Sequence, residues 1–154
     1  DVEEDSNYDM TLKRAVAKFR LVVEDHTPSD VKVMKFYYTG GSSTFNAITG
    51  YGCVNSKQTE LRDVTESAYN EGSYYDIYTF PHNSEEDKKL KVEISAMSSA
   101  SSSTILFSKT ISDVAISKNK YICYKGHFFN VVPENDQEFT LSTTDVWQYE
   151  EFKY

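Results

Sequence analysis

The glycine-rich stretch 37–56 is the part of the sequence most similar to a ligand-binding loop. It contains Gly40, Gly41, Gly50 and Gly52, four of the six glycines in the chain. A phosphate cradle needs glycines at the spacing of a P-loop or a dinucleotide-binding turn, followed by a helix whose N-terminus meets the anion. Neither spacing occurs and no helical pattern follows, so we interpret the stretch as a long connection between strands.

Large side chains within this stretch suggest how such a connection would pack. Glycines allow positive φ angles, and compact surface loops pack their own side chains against the body of the protein. We therefore expect Phe45, Ile48 and Tyr51 to lie against the edge of a sheet.

Histidine and cysteine are the side chains best suited to bind a transition metal. His26, His82 and His127 stand in unlike contexts, and none has the spacing from another histidine or cysteine that a zinc site uses. We interpret them as surface or turn residues. Cys53 and Cys123 are compatible with one disulfide bridge or with two buried thiols, and we favour the thiols.

Other catalytic patterns are missing from the sequence. Serine is abundant, but no Gly-Xaa-Ser-Xaa-Gly elbow or similar signature marks a nucleophile. The acidic clusters at 3–5, 85–87 and 134–136 lack the spaced oxygen ligands of a calcium loop and are interpreted as solvated turns. A carboxylate pair for glycoside cleavage depends on a separation in space, and no feature of the sequence favours one. We predict that the protein is not an enzyme and has no cofactor or metal.

Aromatic residues in strand-like segments leave a binding function open. Aromatic rings pack on the apolar faces of sugars while their polar groups form hydrogen bonds, so tyrosines gathered on one face would favour an extracellular glycan-binding module. The competing interpretation, which we favour, places alternate tyrosines of each strand in the core or in cross-strand pairs. The residues concerned are Tyr74, Tyr75, Tyr78, Tyr121, Tyr124, Trp147 and Tyr149.

Length and charge limit the architecture that positions these residues. The chain has 154 residues and a formal net charge of −8. This length favours one domain, and the charge disfavours nucleic acid and anionic membranes as partners. Residues 1–10 are acidic and aperiodic and are predicted to be a flexible leader. Residues 11–154 are predicted to form a single β-sandwich domain.

Alternation of apolar and polar residues predicts strands with one buried face. We expect the turn residues Pro28, Ser29 and Asp30 to join the first two strands as a hairpin. The polar segment 56–72 is compatible with a short strand or with one helical turn. The core-facing residues are predicted to be Ala15, Ala17, Phe19, Leu21 and Val23 in the first strand, Met34, Phe36 and Tyr38 in the second, and Leu90, Val92, Ile94 and Ala96 in a later strand.

Short strands at a spacing of about ten residues, with turn residues between them, are typical of a sandwich. No amphipathic helix is available to connect parallel strands. The sequence therefore predicts an all-β fold, an antiparallel two-sheet β-sandwich of about seven strands.

Four segments between residues 11 and 130 carry a resemblance to a known family. They are an Arg-Xaa-Val-Ala-Lys opening strand (14–18), a Phe-Asn-Ala turn (45–47), an aromatic strand ending in Phe-Pro (80–81), and a late Asn followed by Tyr-Xaa-Gly-Xaa-Phe (119 and 124–128). In these segments the chain resembles the Bacteroidales fimbrillin-associated anchor proteins, and specifically the first domain of such proteins.

This resemblance implies a fold, a location and a function. It implies a transthyretin-like sandwich that is exported as a lipoprotein and held at the cell surface, on the outer membrane, by an N-terminal lipid anchor not present in this chain. It implies a role in cell adhesion as the anchor, tip or minor subunit of a fimbria (pilus). The expected partner is a fimbrial subunit, with a host protein or a glycan as a further candidate.

An unpaired strand edge offers N–H and C=O groups that a partner strand can satisfy. Because terminal strands often lie at sheet edges, we predict strand addition at the first strand, residues 12–24, or at the last, residues 138–152. The residues predicted to contact the partner are Arg14, Val16, Lys18, Arg20, Trp147 and Tyr149.

Overall fold

A computed structural model describes residues 13–83, 89–130 and 140–144, the last range by its backbone alone. The predicted leader 1–10 and the acidic clusters 85–87 and 134–136 lie outside these ranges. The elements are β1 (Ala17–Val23), β2 (Val33–Gly41), β3 (Phe45–Asn46), β4 (Tyr51–Gly52), β5 (Ser56–Asp63), a 3-10 helix (Glu66–Tyr69), β6 (Ser73–Thr79), β7 (Lys89–Met97), β8 (Ile105–Ala115), β9 (Tyr121–Gly126) and β10 (Thr140–Thr144).

Eight of these strands form two sheets of four. The first sheet has the order β10-β9-β1-β6 and the second the order β5-β2-β7-β8, while β3 and β4 form a separate small hairpin. One core cluster contains buried side chains from both sheets. The prediction of an all-β sandwich is therefore confirmed, and the narrower transthyretin-like assignment stays a prediction.

The predicted core faces of the strands are confirmed, except at Ala15, which is half-buried and precedes β1. Ala17, Phe19, Leu21 and Val23 of β1 are each at most 1% exposed. The predicted faces of β2 and β7 are equally buried, and Phe36 of β2 packs on Tyr75 of β6 with ring centroids 5.7 Å apart. Burial of apolar surface of this kind is the main favourable contribution to folding.

One strand pair differs from the predicted antiparallel arrangement. β1 and β9 run parallel, with Lys18 opposite Tyr121 and Val23 opposite Gly126. Parallel neighbours need a long crossover connection. Here the chain between β1 and β9 passes through the second sheet, so the crossover consists of strands rather than of a helix.

The predicted hairpin between the first two strands is wrong. β1 lies in the first sheet and β2 in the second, so the intervening residues carry the chain between layers. Val31 in this connection is fully buried, and the backbone N–H of Thr27 donates to the carbonyl of Ala68 at 2.8 Å. The turn residues were identified correctly, but contacts with the core set the direction of the chain.

The polar segment 56–72, for which two alternatives were open, contains both. β5 pairs antiparallel with β2, and the 3-10 helix follows two residues later. β5 lies at the edge of its sheet, where one side of the strand is open to solvent. This position explains why an edge strand of this composition has no apolar periodicity.

The glycine-rich stretch forms the end of β2 and the β3–β4 hairpin. Phe45 packs on Phe80 with centroids 5.0 Å apart, as expected, and Lys118 Nζ lies 3.7 Å from the centroid of half-buried Tyr51. The prediction for Ile48 is wrong, since its side chain is 97% exposed. Asn46 Oδ1 accepts hydrogen bonds from the backbone N–H of Ile48 at 2.9 Å, which fixes a turn that projects Ile48 into solvent.

Gly40→Ala is expected to lower the free energy of unfolding by about 2 kcal/mol. Gly40 has a φ of +92°, and an added Cβ would lie 1.9 Å from the carbonyl oxygen of Lys89 in the neighbouring strand. Gly50→Ala is the matched control, because Gly50 also has a positive φ, +72°, but an added Cβ there would lie 3.4 Å from the flexible end of the Lys118 side chain, an ordinary contact. We expect about 1 kcal/mol for the control. Urea denaturation followed by circular dichroism measures both, and equal losses would contradict the role assigned to the contact with Lys89.

Candidate functional site

The solvent side of the first sheet carries charged and aromatic side chains from three adjacent strands. Residues of β9, β1 and β6 that alternate with the core-facing positions point away from the core. We call this group the outer face. Its members form three rows across the sheet, which are Tyr78–Lys18–Tyr121, Asp76–Arg20–Cys123 and Tyr74–Val22–Lys125.

An ion-paired cluster lies at the centre of the outer face. Arg20 donates from Nε and Nη2 to the two carboxylate oxygens of Asp76 at 2.6 and 2.7 Å. Lys18 Nζ lies 3.0 Å from the same carboxylate. The side chains of Arg20, Asp76 and Lys18 are 19%, 17% and 8% exposed. Because two parallel hydrogen bonds fix the plane of a guanidinium group, Arg20 is held in one orientation.

Burial and pairing have opposite effects on the Asp76 carboxyl. Burial raises its pKa, but hydrogen bonds from Arg20 and Lys18 outweigh burial and leave the pKa below the ordinary value. The hydrogen bond to Asp76 also raises the pKa of Arg20. Both groups are therefore charged at neutral pH.

Tyrosine rings border the ion-paired cluster. The guanidinium carbon of Arg20 lies 4.2 Å from the ring centroid of Tyr74, and Lys18 Nζ lies 5.2 Å from that of Tyr121. Both distances are within the range of cation–π attraction. Tyr74 is 63% exposed and Tyr78 is 43% exposed. The outer face thus combines an oriented cation with accessible aromatic surface.

A shallow groove of about 350 Å³ lies on the outer face where β1 ends. Val22 lies between Tyr74 and Lys125 in the row that crosses this groove. Arg20 and Glu24 line it along β1, and Lys125 Nζ is 2.9 Å from Glu24 Oε1. The groove therefore places hydrogen-bond donors, an acceptor and an aromatic ring around an apolar side chain.

Sheet edges are the second kind of binding surface in this fold. Within the described ranges, the edge strands are β10 and β6 in the first sheet and β5 and β8 in the second. β1 has β9 on one side and β6 on the other. The prediction that the first strand lies at an edge is therefore wrong, because both of its backbone edges are used within the sheet.

Side chains from the second sheet occupy the free edge of β6. Arg62 Nη2 donates to the carbonyl of Asp76 at 3.3 Å, and the Tyr38 hydroxyl, which donates to Glu60, lies 3.4 Å from the carbonyl of Tyr78. Gln58 Nε2 donates to Thr79 Oγ1 at 3.1 Å. These side chains therefore occupy the edge that an added strand would use.

β8 offers a longer edge, and it has eleven residues. Among the described strands its only neighbour is β7, with regular pairing from Phe107 to Ile111 and register shifts on either side. Leu106 and Phe107 are partly buried against the core, and Ile105 is 55% exposed. The edge of β8 therefore combines unpaired backbone with apolar side chains that are not fully covered.

Two features of β8 oppose unspecific pairing of its edge with strands of other molecules. Lys109 lies opposite Ile94, on the core-facing side of an edge strand. Asp113 has a φ of +58°, which interrupts the extended conformation near the end of the strand. Inward charges and bulges are the devices by which edge strands avoid aggregation, so pairing of this edge with the same edge of another copy is opposed.

The residues predicted to contact a partner fall in several places. Lys18 and Arg20 meet on the outer face, although they come from a central strand. No observation tests their role in binding, which stays a prediction. The others are Arg14, which is exposed, Val16, which is half-buried, and Trp147 and Tyr149, which lie outside the described residues.

The tyrosine-rich strands divide as the favoured interpretation predicted. Tyr75 is 7% exposed and belongs to the core, and Tyr124 packs on Phe19 with centroids 5.5 Å apart. Tyr74, Tyr78 and Tyr121 lie on the opposite side of the sheet. Alternation along each strand thus removes two tyrosines from any platform and leaves three on the outer face.

The two cysteines have different environments. Both are free thiols, and Cys123 is buried as predicted, whereas Cys53 is exposed in the connection after β4. The prediction of burial is therefore wrong for Cys53. We expect a thiol reagent to label Cys53 in the native protein, and to label Cys123 only after addition of denaturant. Equal labelling rates in native protein would contradict this arrangement.

In the part of the chain that the structure describes, no group of three histidine, cysteine or acidic side chains is placed to hold a metal ion. His26 and His127 are exposed, whereas His82 is 8% exposed, so the surface prediction does not hold for His82. No helix in the described part of the chain is long and apolar enough to span a membrane.

Sequence reasoning missed Asp76, the residue that organises the outer face, and Asp25, which is 4% exposed and binds the loop after β9. Asp76 lies between two exposed tyrosines in a strand, and this polar position in an aromatic run was the available signal. Asp25 lies two residues after the end of β1 and has no distinguishing local pattern. Their partners are 56 and more than 100 residues away in the chain.

Comparison with known proteins gives a family and one similar structure. A search of curated proteins finds no match. The chain is similar to the crystal structure of a protein from Bacteroides ovatus that is provisionally named a cell adhesion protein, with 15% identity and a TM-score of 0.47. The match covers 90% of this chain and 47% of that one, so the chain spans about half the length of that protein. A family model matches residues 1–153, and the chain therefore belongs to DUF6562, a family of unknown function.

Proposed function

We propose that this protein is a cell-surface adhesion protein that serves a fimbria as an anchor, tip or minor subunit. The proposal includes export as a lipoprotein to the outer membrane. It is supported by the resemblance of segments 14–18, 45–47, 80–81 and 119–128 to the fimbrillin-associated anchor proteins. The all-β sandwich is compatible with it.

In this proposal the partner is a fimbrial subunit, and it adds a strand at the edge of β8. The observation that carries this mechanism is that β8, with eleven residues, has β7 as its one described neighbour. Main-chain hydrogen bonds along such an edge supply affinity, and side-chain pockets supply specificity. Ile105, Leu106 and Phe107 are available for apolar contacts with the added strand.

Site-specific cross-linking tests this mechanism. A photoreactive residue at exposed Ser108 of β8 is compared with the same residue at exposed Thr59 of the edge strand β5. We expect Ser108 to cross-link to the purified fimbrial subunit and Thr59 not to. The subunit should also slow amide hydrogen exchange in β8, since added backbone hydrogen bonds protect it. Equal cross-linking at both positions, or none, would count against strand addition at β8.

A second candidate function is extracellular glycan binding by surface tyrosines. It is favoured by one observation, the accessible ring of Tyr74 on the outer face beside a fixed guanidinium group. A glycan array without hits would discard it. Strand addition and glycan binding use different surfaces, so each stands or fails separately.

A further inference from the structure

We propose that the groove on the outer face binds one or two rings of a neutral saccharide. The inference rests on the second candidate function, glycan binding, and adds the site and the class of sugar. The groove is formed by Val22, Tyr74, Lys125, Arg20 and Glu24.

The dimensions of the groove fit a small saccharide. Tyr74 and Lys125 lie two strand spacings apart on either side of Val22, which is about 10 Å. Arg20 and Glu24 are four residues apart along β1, or about 13 Å in an extended strand. A volume of about 350 Å³ is at the lower end of the range for small-molecule sites. One or two pyranose rings fit this space.

The side chains of the groove match the two kinds of surface on a sugar ring. Tyr74 is 63% exposed although Arg20 lies over its ring, so aromatic surface remains for the C–H face of a pyranose. Val22 extends this apolar surface. Arg20 uses two N–H groups on Asp76 out of about five that the side chain carries. The remaining donors, with the Glu24 carboxylate and the Lys125 ammonium, supply partners for hydroxyl groups.

The two cations that line the groove are already paired with internal carboxylates, which favours a neutral ligand over an acidic one. Arg20 is paired with Asp76, and Lys125 is paired with Glu24 at 2.9 Å. A carboxylate or sulfate on the ligand would have to compete with these internal anions. The chain as a whole carries a formal charge of −8, which also repels polyanions.

The guanidinium group of the groove is oriented before a ligand binds. Arg20 is held by two hydrogen bonds to Asp76 and by the ring of Tyr74. Ordering of side chains is one of the costs of association, and a rigid site reduces it. The groove is open and shallow, so we expect weak binding that adhesion through many copies would strengthen.

Nuclear magnetic resonance titration of the full chain tests the proposal. The probes are the methyl glycosides of glucose, galactose, mannose and N-acetylglucosamine, together with lactose and maltose, each at millimolar concentration. We expect chemical-shift changes at the backbone amides of residues 20–24, 72–74 and 125 for at least one neutral sugar. Methyl glucuronide and sialyllactose should bind more weakly than their neutral counterparts.

Two substitutions locate the binding site. Tyr74→Ala is expected to weaken binding about tenfold, whereas Tyr78→Ala, on the same strand and face but away from the groove lining, should change it less than about twofold. If Tyr74→Ala does not fold, Glu24→Gln takes its place. This substitution keeps the shape of the side chain and should weaken binding several-fold. Melting curves establish that each variant is native.

The outcomes of these experiments distinguish failure of the groove from failure of glycan binding as a whole. Binding that is weakened by Tyr74→Ala or Glu24→Gln, and not by Tyr78→Ala, supports the groove. Sugar binding that is indifferent to Tyr74 and Glu24 overturns the groove and leaves glycan binding intact. Preference for the acidic sugars overturns the assignment to neutral ligands. Absence of shifts with every sugar overturns both the groove and the glycan-binding function.

Discussion

Asp25→Ala is expected to lower the free energy of unfolding by about 4 kcal/mol. The Asp25 carboxylate accepts hydrogen bonds from the backbone N–H groups of Phe128, Phe129 and Asn130 at 3.0, 2.7 and 2.7 Å. Asp25 is 4% exposed, so its removal leaves buried donors without a partner. Hydrogen bonds to a charged group contribute about 1.5–3 kcal/mol each, and the desolvation of the carboxylate offsets part of the sum.

This loss is a large fraction of the stability of a domain of this size, which is about 5–15 kcal/mol. Phe128 and Phe129 are core residues, so the loop that Asp25 holds also contributes to packing between the sheets. Guanidinium denaturation followed by circular dichroism measures the effect. Asp30→Ala is the control, because Asp30 lies in the same connection but is exposed, and we expect a change within about 0.5 kcal/mol.

Asp25→Asn separates the hydrogen bonds from the volume of the side chain. Oδ1 serves Phe128 and Oδ2 serves Phe129 and Asn130. An amide keeps one accepting oxygen, which can serve two of the three donors, and it places an N–H₂ group against the third. We expect Asp25→Asn to lower the free energy of unfolding by less than Asp25→Ala does. A loss below about 1 kcal/mol for Asp25→Ala would show that water replaces the carboxylate.

Asp76→Ala is expected to cost about 3 kcal/mol at neutral pH. Arg20 and Lys18 would each lose the carboxylate that they share, while their side chains remain mostly buried. Uncompensated charge in such a place is more costly than the absence of an ion pair. Glu93→Gln is the control, since the Lys91–Glu93 pair is 54% and 43% exposed at its two ends. An exposed pair contributes about 0–1 kcal/mol.

Asp76 also predicts a dependence of stability on pH. Its pKa in the folded protein is below the ordinary value, which is about 4 in an unfolded chain. A depressed folded pKa contributes stability that is fully present above the unfolded pKa and is lost as the pH falls through the folded pKa. We expect the stability difference between wild type and Asp76→Asn to shrink as the pH falls below about 4. A constant difference between neutral pH and about pH 2 would contradict the ion-pair assignment.

The position of β1 changes where the proposed strand addition would take place. The first strand was predicted to lie at an edge because it is terminal in the sequence. In the structure it pairs with β6 and β9 along both edges. Strand addition at β1 would require displacement of an existing neighbour, whereas addition at β8 requires none within the described sheet.

The hydrogen bonds between side chains of β5 and the edge of β6 explain the polar composition of β5. This strand lies in the segment 56–72, for which the sequence pattern allowed two alternatives. Gln58, Glu60 and Arg62 point toward the space between the sheets. Gln58 donates a hydrogen bond to the Thr79 hydroxyl, and Arg62 donates one to the carbonyl of Asp76. Glu60 accepts a hydrogen bond from the Tyr38 hydroxyl. Polar side chains at an inward position are tolerated because each has a partner. β5 therefore lacks apolar alternation because its inward side chains form hydrogen bonds with the neighbouring strands at the side of the sandwich.

Local pattern was sufficient to predict the faces of the strands. The side chains of a strand alternate with period two whatever its neighbours are, so the core residues of β1, β2 and β7 could be read directly. The same alternation separated Tyr74 and Tyr78 from Tyr75 in β6. Two of the four glycines in the stretch 37–56, Gly40 and Gly50, have the positive φ that glycine allows.

Strand order, register and sheet edges were decided only by the tertiary structure. They depend on contacts between residues far apart in the chain, such as Arg20 with Asp76 and Asp25 with Phe128. Many orders of strands satisfy the same alternation, and the one adopted is the one in which all faces pack together. The groove depends on this order of strands. Tyr74, Val22 and Lys125 become neighbours only when β6, β1 and β9 lie side by side.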